Sequence, residues 1–258
     1  MRRPRDRPGR LRDRPGRTAP PVGRTADRRR RGRDPDRTGD GVVSAPREVG
    51  RLRERASVRR EDLDAVLDAA LVGTLSTVVD GEPWVVPLLY ARDGDRIILH
   101  GSTGAGALRH VAAGAPAALS VVHLDAVVVA HNTFDTSMNY RSAVVYGTLR
   151  PITDAAAKRA ALTLVSEAVL PGREAEVEPM TSKQLAATGV TEMAIREGEW
   201  VVKSRTGGPG EPDVPTDAWT GVVPLRTVAD EPVAEARSAG QAVPASVRER
   251  VRRGASAV

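Results

Sequence analysis

Two Asp-Gly dipeptides constrain the fold of this chain more than any other feature of its sequence. Asp80-Gly81 and Asp93-Gly94 separate three runs rich in Val, Leu, Ile and Trp within residues 74–102. Because glycine readily adopts the positive φ of a tight turn, Asp-Gly between apolar runs is a strong β-hairpin signal. We therefore expect an antiparallel meander of three strands. Pro87 has no backbone N–H to donate, so its strand should have a free edge or a bulge at that point.

Hydrophobic periodicity predicts the elements on either side of the meander. Before it, an apolar stripe indicates an amphipathic helix with Gly73 near its C-cap; the stripe comprises Leu63, Val66, Leu67, Ala70 and Leu71. After it, we expect a short helix closed by Gly114, then a strand at 117–131 bent near Asp125 and a second strand at 139–152. These are followed by a helix at 153–172, capped by Thr153 or Asp154, and a shorter helix at 181–189. A final strand is expected at 191–207.

This pattern predicts a protein that is mainly β with peripheral helices. Six or so strands with early hairpin signals favour a small antiparallel barrel or sandwich. Strands and long helices do not alternate regularly, which argues against a doubly wound parallel sheet.

The positive charge of the chain is confined to its N-terminus. Residues 1–40 hold 15 Arg and 6 Asp, a net charge of +9, whereas the other 218 residues carry a net charge of −3. A segment of Arg, Pro, Gly and Asp has few apolar side chains to offset its chain entropy, so we expect a disordered extension over 1–47. Three interpretations of this segment are open: a basic arm that binds nucleic acid, a solvated extension without a function, or upstream sequence translated from a misassigned start. Arg outnumbers Lys 36 to 3 across the chain, which favours the last two interpretations.

Ordered structure should begin near residue 48. We expect one folded domain over 48–228, followed by a loosely packed tail over 229–258 with a frayed helical turn. The chain has no Cys, which excludes disulfides and thiolate chemistry. No apolar run approaches the roughly 18 to 20 residues that span a bilayer, and no secretory signal begins the chain, so we expect a cytoplasmic protein without membrane contact.

Two polar segments are candidates for a binding site. The first, His100-Gly101-Ser102-Thr103-Gly104, lies between a predicted strand and a predicted helix, where backbone N–H groups and two hydroxyls suit a phosphate; an ordinary strand-to-helix turn is the alternative. The second, Asn139-Tyr140-Arg141-Ser142, combines an amide, a flat ring, a guanidinium and a hydroxyl at the start of a strand. Here the alternative is a structural loop with Arg141 in a salt bridge.

The histidines give no support for a metal centre. His100, His110, His123 and His131 include no pair at helical ligand spacing and no accompanying set of carboxylates. His100 and His131 each end a predicted strand, where a side chain can be half exposed in a cleft. No residue stands out as a catalytic acid or base, so we assign none.

Taken together, several segments resemble the flavin-nucleotide-binding branch of the pyridoxamine 5'-phosphate oxidase-like superfamily, to which nitroimidazole-resistance-type proteins also belong. The resemblance covers about residues 48–245 and rests on "GTLSTVVDGEPWVVPLLYARDGDRIILHGST", "SMNYRSAVVYG", "PGREAEVEPMTSKQLAATGV", "KSRTGGP" and "WTGVVPLRTV". It implies a six-stranded antiparallel Greek-key split barrel that binds FMN, with an oxidoreductase activity and with the cofactor in clefts at a homodimer interface.

The resemblance also implies a set of cofactor-binding residues. Backbone groups of Val86, Pro87 and Leu88 would line the isoalloxazine edge, and His100, Gly101, Ser102 and Thr103 would meet the ribityl phosphate. Asn139, Tyr140, Arg141 and Ser142 would complete the pocket, which Lys203 and Arg205 of the late Lys-x-Arg-x-Gly pattern would also reach.

The chain departs from the family pattern near both segments. His131-Asn132 and Asp135-Thr136 replace the family's Arg-Ser and paired His, and Ala105-Gly106 replace Ser and a basic residue. Losing a cation and gaining a carboxylate should weaken phosphate binding unless Arg109 or Arg141 compensates. The alternative to an FMN-dependent oxidoreductase is therefore a non-catalytic protein of the same fold that binds flavin, a deazaflavin or haem. A nucleic-acid-associated protein acting through the basic arm ranks below both.

Overall fold

The computed structural model describes residue 50, residues 52–104 and residues 110–256. The predicted extension over 1–47, together with Ala105, Gly106 and Arg109, lies outside the described residues. The strands are β1 (Ala56–Ser57), β2 (Val72–Val79), β3 (Glu82–Asp93), β4 (Arg96–Ser102), β5 (Pro116–Val129), β6 (Ser137–Pro151), β7 (Thr188–Ala194), β8 (Trp200–Arg205) and β9 (Gly221–Pro224). The α-helices are α1 (Arg60–Asp68), α2 (Ala155–Val169), α3 (Ser182–Ala187) and α4 (Ala245–Ser256).

Six of these strands close into an antiparallel barrel, as predicted. The ring runs β2–β3–β4–β7–β6–β5 and closes because β5 pairs with both β6 and β2. The meander β2–β3–β4 is followed by β5, which returns beside β2, and this spatial order is that of a Greek key. The short strands β8, β1 and β9 extend the sheet outside the ring.

Both predicted hairpin turns are present in the meander. Asp80 and Gly81 adopt φ values of 52° and 82° between β2 and β3, and Gly94 adopts 56° between β3 and β4. The first loop, with positive φ at both central residues, has the turn type that matches the twist of antiparallel strands; the second has positive φ at its first central residue, Gly94, alone. The local signal in the sequence was therefore sufficient to predict this part of the fold.

The barrel is split where β3 and β4 part. Residues 82–89 of β3 pair with β2, whereas the ladder with β4 spans only residues 90–93. Pro87 therefore lies on a free edge of β3, as predicted. A second branch occurs on β6, whose residues 140–145 pair with β8 and whose residues 149–151 pair with β7.

Two apolar clusters hold these layers together. The larger fills the barrel and includes Leu75, Leu99 and Leu119, each without solvent exposure, with α1 covering it through Leu63 and Leu67. The smaller lies between the outer face of the barrel and helices α2 and α3, around Ile98 and Ala161. Both helices begin where the sequence predicts, α2 capped by the side chain of Asp154 and α3 by a capping box at Thr181.

Other predictions were wrong in detail. Helix α1 ends at Asp68, and Gly73 lies inside β2 instead of at a C-cap. An added Cβ there would come within 2.9 Å of Leu119 Cδ1, so glycine is needed for the approach of β5 to β2. The predicted final strand at 191–207 is interrupted: β7 and β8 pair in the same direction with successive parts of β6, and a turn at Gly198, whose φ is 73°, separates them.

The C-terminal region also differs from the sequence-based expectation of a frayed turn. It contains β9 and a 12-residue helix, α4. Glu176 anchors the helix by accepting hydrogen bonds from the backbone N–H and the hydroxyl of Ser246, a serine that is only 2% exposed. Within the described part of the chain, no helix has the length and apolar character needed to cross a membrane.

Candidate functional site

Strands β6 and β8 bring five of the predicted site residues together. Tyr140 lies opposite Arg205 and Ser142 lies opposite Lys203 in the antiparallel ladder. Arg205 Nη1 donates to Asn139 Oδ1 over 2.6 Å, and the Ser142 hydroxyl donates to the Lys203 carbonyl over 3.1 Å. Asn139 is itself buried and donates to the Gly207 carbonyl over 2.9 Å. We call Asn139, Tyr140, Ser142, Lys203 and Arg205 the β6–β8 cluster.

Arg141 is placed differently although it lies between Tyr140 and Ser142 in the chain. Its Nε and Nη2 donate to the two carboxylate oxygens of Asp125 over 3.0 and 2.7 Å. The hydrogen bond with Asp125 raises the pKa of Arg141, an effect that burial opposes. This bidentate pair is the salt bridge of the alternative interpretation, and it neutralises the charge that the family resemblance assigns to a phosphate.

Lys203 and Arg205 carry the uncompensated positive charge of the cluster. Among the described residues, neither has a carboxylate oxygen within 4.0 Å; the guanidinium of Arg205 meets only the Asn139 amide and the Gly208 carbonyl. A cation bound only by neutral oxygens can still pair with an anion. The available electrostatic partner for a phosphate is therefore at β8, not at Arg141.

The second group of predicted residues lies at the split between β3 and β4. The side chains of Val86 and Leu88 pack against the barrel core, so only Pro87 of the three faces outward. Tyr90 N–H donates to the Leu71 carbonyl, and hydrogen-bonded pairs alternate along an antiparallel ladder. Val86 and Leu88 thus direct their backbone groups to β2, whereas the backbone carbonyl of Pro87 points to the free edge.

The glycine-containing turn is partly occupied by its own hydrogen bonds. Ser102 Oγ accepts from Gly104 N–H over 3.2 Å, and Thr103 donates to the Ala187 carbonyl from its N–H and its hydroxyl. Gly101 pairs with Gly189 of β7. These contacts are those of the ordinary turn that was the alternative interpretation, and residues 105–109, which would complete a phosphate cradle, lie outside the described range.

His100 is a half-buried imidazole with an unpaired nitrogen. It lies opposite Val190 of β7, and its buried Nδ1 has no hydrogen-bond partner among the described residues. Burial lowers the pKa of His100 because the charged form loses its hydration. A neutral imidazole is a poor partner for a phosphate but a suitable metal ligand.

The loop that departs from the family pattern, residues 131–136, is closed on itself. Asn132 donates through Nδ2 to Asp135 Oδ2 over 2.7 Å, and Asp135 N–H donates back to Asn132 Oδ1. Thr136 donates its hydroxyl to the Asn132 carbonyl. Asp135 is thus a structural member of the turn, and the carboxylate has a donor within its own loop.

Within one chain, Ser102 and Arg141 lie far apart along the strands that connect them. Ser102 pairs with Thr188, and Thr191 of the same strand pairs with Pro151 at the end of β6. Arg141 precedes Pro151 by ten residues, which corresponds to about 33 Å along an extended strand. If Ser102 and the β6–β8 cluster contact one ligand, a second copy of the chain must supply one of them.

The sequence analysis missed an uncharged outer face of the sheet. We call it the outer sheet face; β2, β3, β5 and β6 contribute Val72, Thr74, Ser76, Val78, Val85, Pro87, Leu89, Ala118, Ser120, Val122, Ser142, Val144 and Tyr146. Its exposed members include Val78 at 57%, Val85 at 58% and Val122 at 61%. The signal was the absence of charge at the alternate positions of these strands, where a solvated sheet is normally polar.

A closed Greek-key ring with parted β3 and β4 strands defines a split-barrel protein. The family model described as "Pyridoxamine 5'-phosphate oxidase" matches residues 59–200. The chain therefore belongs to the pyridoxamine 5'-phosphate oxidase family, as the sequence resemblance indicates.

Solved structures give the same result. The FAD and haem binding protein from Mycobacterium smegmatis is 41% identical, with a TM-score of 0.73, and the match covers 76% of this chain and 97% of that one. The flavocytochrome Anf3 from Azotobacter vinelandii is 27% identical with a TM-score of 0.73, covering 80% and 96%. A Bacteroides thetaiotaomicron protein named for 5-nitroimidazole antibiotic resistance shares the fold at 15% identity, with a TM-score of 0.50 and coverage of 58% and 86%. No curated protein matches the chain significantly.

Proposed function

We propose that this protein binds a flavin nucleotide and acts as an oxidoreductase. The observation that carries the proposal is the β6–β8 cluster, in which two cations without carboxylate partners in the described chain stand beside a tyrosine ring and a serine hydroxyl. A flavin phosphate needs positive charge and small donors, and its ring needs a flat surface. The names of two of the similar solved structures, one for FAD and haem and one for a flavocytochrome, support this choice of ligand.

The form of the flavin is a separate question. The sequence resemblance implies FMN, whereas the Mycobacterium smegmatis relative is named for FAD. Both carry the phosphate that Lys203 and Arg205 would neutralise. FMN stays the prediction from sequence, and identification of the extracted cofactor distinguishes the two forms.

The residues of the chain bind and orient, and the flavin supplies the redox chemistry when bound. Lys203 and Arg205 would neutralise the phosphate, Asn139 holds the Arg205 guanidinium in place, and Tyr140 offers a ring face. The backbone carbonyl of Pro87, at the free edge of β3, would accept a hydrogen bond from the ring. We assign no proton to any side chain of the cluster.

We further propose that the binding unit is a homodimer. The outer sheet face is uncharged and carries exposed valines, and a contiguous patch of this kind typically marks an interaction surface. Pairing two copies through it would let the β3–β4 split of one chain meet the β6–β8 cluster of its partner. A cytoplasmic location and the absence of a nucleic-acid partner remain predictions from the sequence.

The proposal is tested by the visible spectrum of the purified full-length protein. We expect absorption of an oxidised flavin, release of FMN or FAD on denaturation, and bleaching by a nicotinamide donor under anaerobic conditions. Flavin binding without bleaching would support the non-catalytic alternative. A protein that is colourless and takes up neither FMN nor FAD would contradict the proposal.

Variants of the cluster locate the phosphate. We expect Arg205→Gln to weaken flavin binding by about tenfold or more, because a charge-assisted hydrogen bond is lost. Arg150→Gln is the matched control, since Arg150 is exposed and lies on the strand end away from the cluster. Equal affinities in the two variants would show that the phosphate is held elsewhere.

Haem is a second candidate ligand, and His100 favours it. Among the described residues its buried Nδ1 has no hydrogen-bond partner, and burial lowers the pKa of the imidazole, which favours the neutral form that binds a metal ion. The names of both relatives include haem or a cytochrome. We expect added haemin to give a Soret shift with wild type that His100→Ala abolishes; a shift that survives the substitution would remove His100 as the ligand.

A further inference from the structure

A cleft of about 650 Å³ lies beside the outer sheet face and has no role in the function proposed above. It is bounded by the chain following α1, by β5 and β6, by the residues after β9, and by α4. One wall is apolar and includes Leu71, Val72, Val122 and Leu225. Val72 and Val122 also belong to the outer sheet face, so the cleft opens directly from that surface.

The cleft also has a cationic lining. Arg141, Arg226 and Arg250 line it together with His123 and a single carboxylate, that of Asp125. Arg141 is already paired with Asp125. Arg226 and Arg250 have no carboxylate oxygen within 4.0 Å among the described residues, so the cleft holds an excess of two positive charges. Two guanidinium groups facing one cleft repel each other unless an anion lies between them.

The backbone segments that carry the two unpaired arginines are held in position by specific contacts. Leu225 N–H donates to the Asp125 carbonyl over 2.9 Å, which fixes the residue before Arg226 at the bulge in β5. Helix α4, which carries Arg250, is anchored by the hydrogen bonds of Ser246 to Glu176. It also packs closely at Gly254, where a Cβ would lie only 2.6 Å from Ala229 Cβ. Arg226 belongs to the "WTGVVPLRTV" segment, which the flavin site leaves unexplained.

We propose that this cleft binds the anionic group of an apolar ring compound, with Arg226 and Arg250 as its charge partners. A guanidinium group can form two parallel hydrogen bonds with a phosphate or with a carboxylate. The apolar residues of the cleft would cover the body of the ligand. The proposal rests on the flavin function above, since the cleft adjoins the face where the flavin is placed. The anion is either the adenosine phosphate half of a flavin dinucleotide or the carboxylate of a separate ring such as a porphyrin.

The test compares three probes on three forms of the full-length protein. The forms are wild type, Arg226→Gln/Arg250→Gln, and the charge-matched control Arg150→Gln/Arg237→Gln, whose arginines are exposed and lie outside the cleft. Dissociation constants for FMN, FAD and haemin are measured by titration, and thermal midpoints confirm that all three forms are folded.

We expect the cleft variant to lose about tenfold or more in affinity for one probe while FMN binding is unchanged. A loss confined to FAD identifies the adenosine phosphate, and a loss confined to haemin identifies a separate carboxylate; either result supports the site. Unchanged affinities for all three probes, with flavin still bound, would overturn the cleft but not the flavin function. Failure of wild type to bind any probe would overturn both.

Discussion

At the scale of single residues, the electrostatic environment decides the role of each arginine. Arg141 and Arg205 lie on paired strands, yet one is neutralised by Asp125 and the other is bound only by an amide and a carbonyl. Neighbouring residues of a strand point to opposite faces, so Arg141 is separated from Tyr140 and Ser142 although it lies between them. Within residues 139–142, Arg141 therefore has a structural role, whereas its neighbours are free for the proposed binding role.

The Arg141–Asp125 pair should contribute to stability. In a double-mutant cycle of Arg141→Leu and Asp125→Leu, we expect a coupling of about 1 kcal/mol, at the upper end for partly exposed pairs because the geometry is bidentate. Urea unfolding of the four proteins measures it. A coupling near zero would mean that the pair is replaced by hydration in solution.

His100 should make stability depend on pH. Its pKa in the folded protein is lowered by burial, so in acid the unfolded chain binds more protons than the folded one. The contribution is fully present above about pH 6.5, the ordinary histidine pKa, and is lost as pH falls below it. We expect the free energy of unfolding to drop between pH 7 and pH 5, and to drop less in His100→Gln. The same pH dependence in both proteins would show that His100 is hydrated in the native state.

At the scale of elements, local signals were sufficient for the hairpins and helices but not for every strand. Asp80-Gly81 and Asp93-Gly94 act within a few residues, and so do the caps at Asp154 and Thr181, so each was readable from sequence. The turn at Gly198 has no Asp-Gly signal in "REGEW", and β7 and β8 follow one another along β6, so the sequence predicts one continuous strand where the structure has two. Strand β9 has only four residues and exists because β5 offers a free edge to pair with.

Gly73 shows how the packing of strands, not a turn, can require glycine. Its missing Cβ makes room for Leu119, which has no solvent exposure and no space to withdraw. We expect Gly73→Ala to destabilise the protein by about 1 to 3 kcal/mol through overpacking. The matched control is Gly189→Ala in β7, where the nearest atom is 3.6 Å from the added Cβ.

The cause of the Gly73 effect is tested by a second substitution. Leu119→Val removes the atoms that the new methyl group would strike, so the double variant should be more stable than the sum of the single effects predicts. Denaturant midpoints of the single and double variants give the comparison. Strict additivity would place the cost in the β2 backbone instead.

At the scale of the whole molecule, the arrangement of the site residues relative to one another could not be predicted from the sequence. The sequence identified the residue types, and the barrel places Tyr140, Ser142, Lys203 and Arg205 side by side as expected. It could not show that Asp125 pairs with Arg141, because the carboxylate reaches it only through the register of β5 and β6. Nor could it show that Ser102 and Arg141 lie far apart along the strands, since that follows from the register of β4 on β7 and of β7 on β6.

The outer sheet face allows a test of the proposed homodimer, the arrangement that would bring the β3–β4 split of one chain to the β6–β8 cluster of its partner. Val85 lies on that face at 58% exposure, in the edge strand β3, so Val85→Asp would bury an unpaired charge in each half of a symmetric interface formed through the face. We expect sedimentation equilibrium to show a dimer for wild type and a rise in the dissociation constant of about 100-fold or more for the variant, with loss of bound flavin. Val233→Asp, at 96% exposure and outside the face, is the matched control and should stay dimeric. A variant at Val85 that remains a dimer would show that the subunits meet through another surface, and a monomeric wild type that retains flavin would show that one chain suffices.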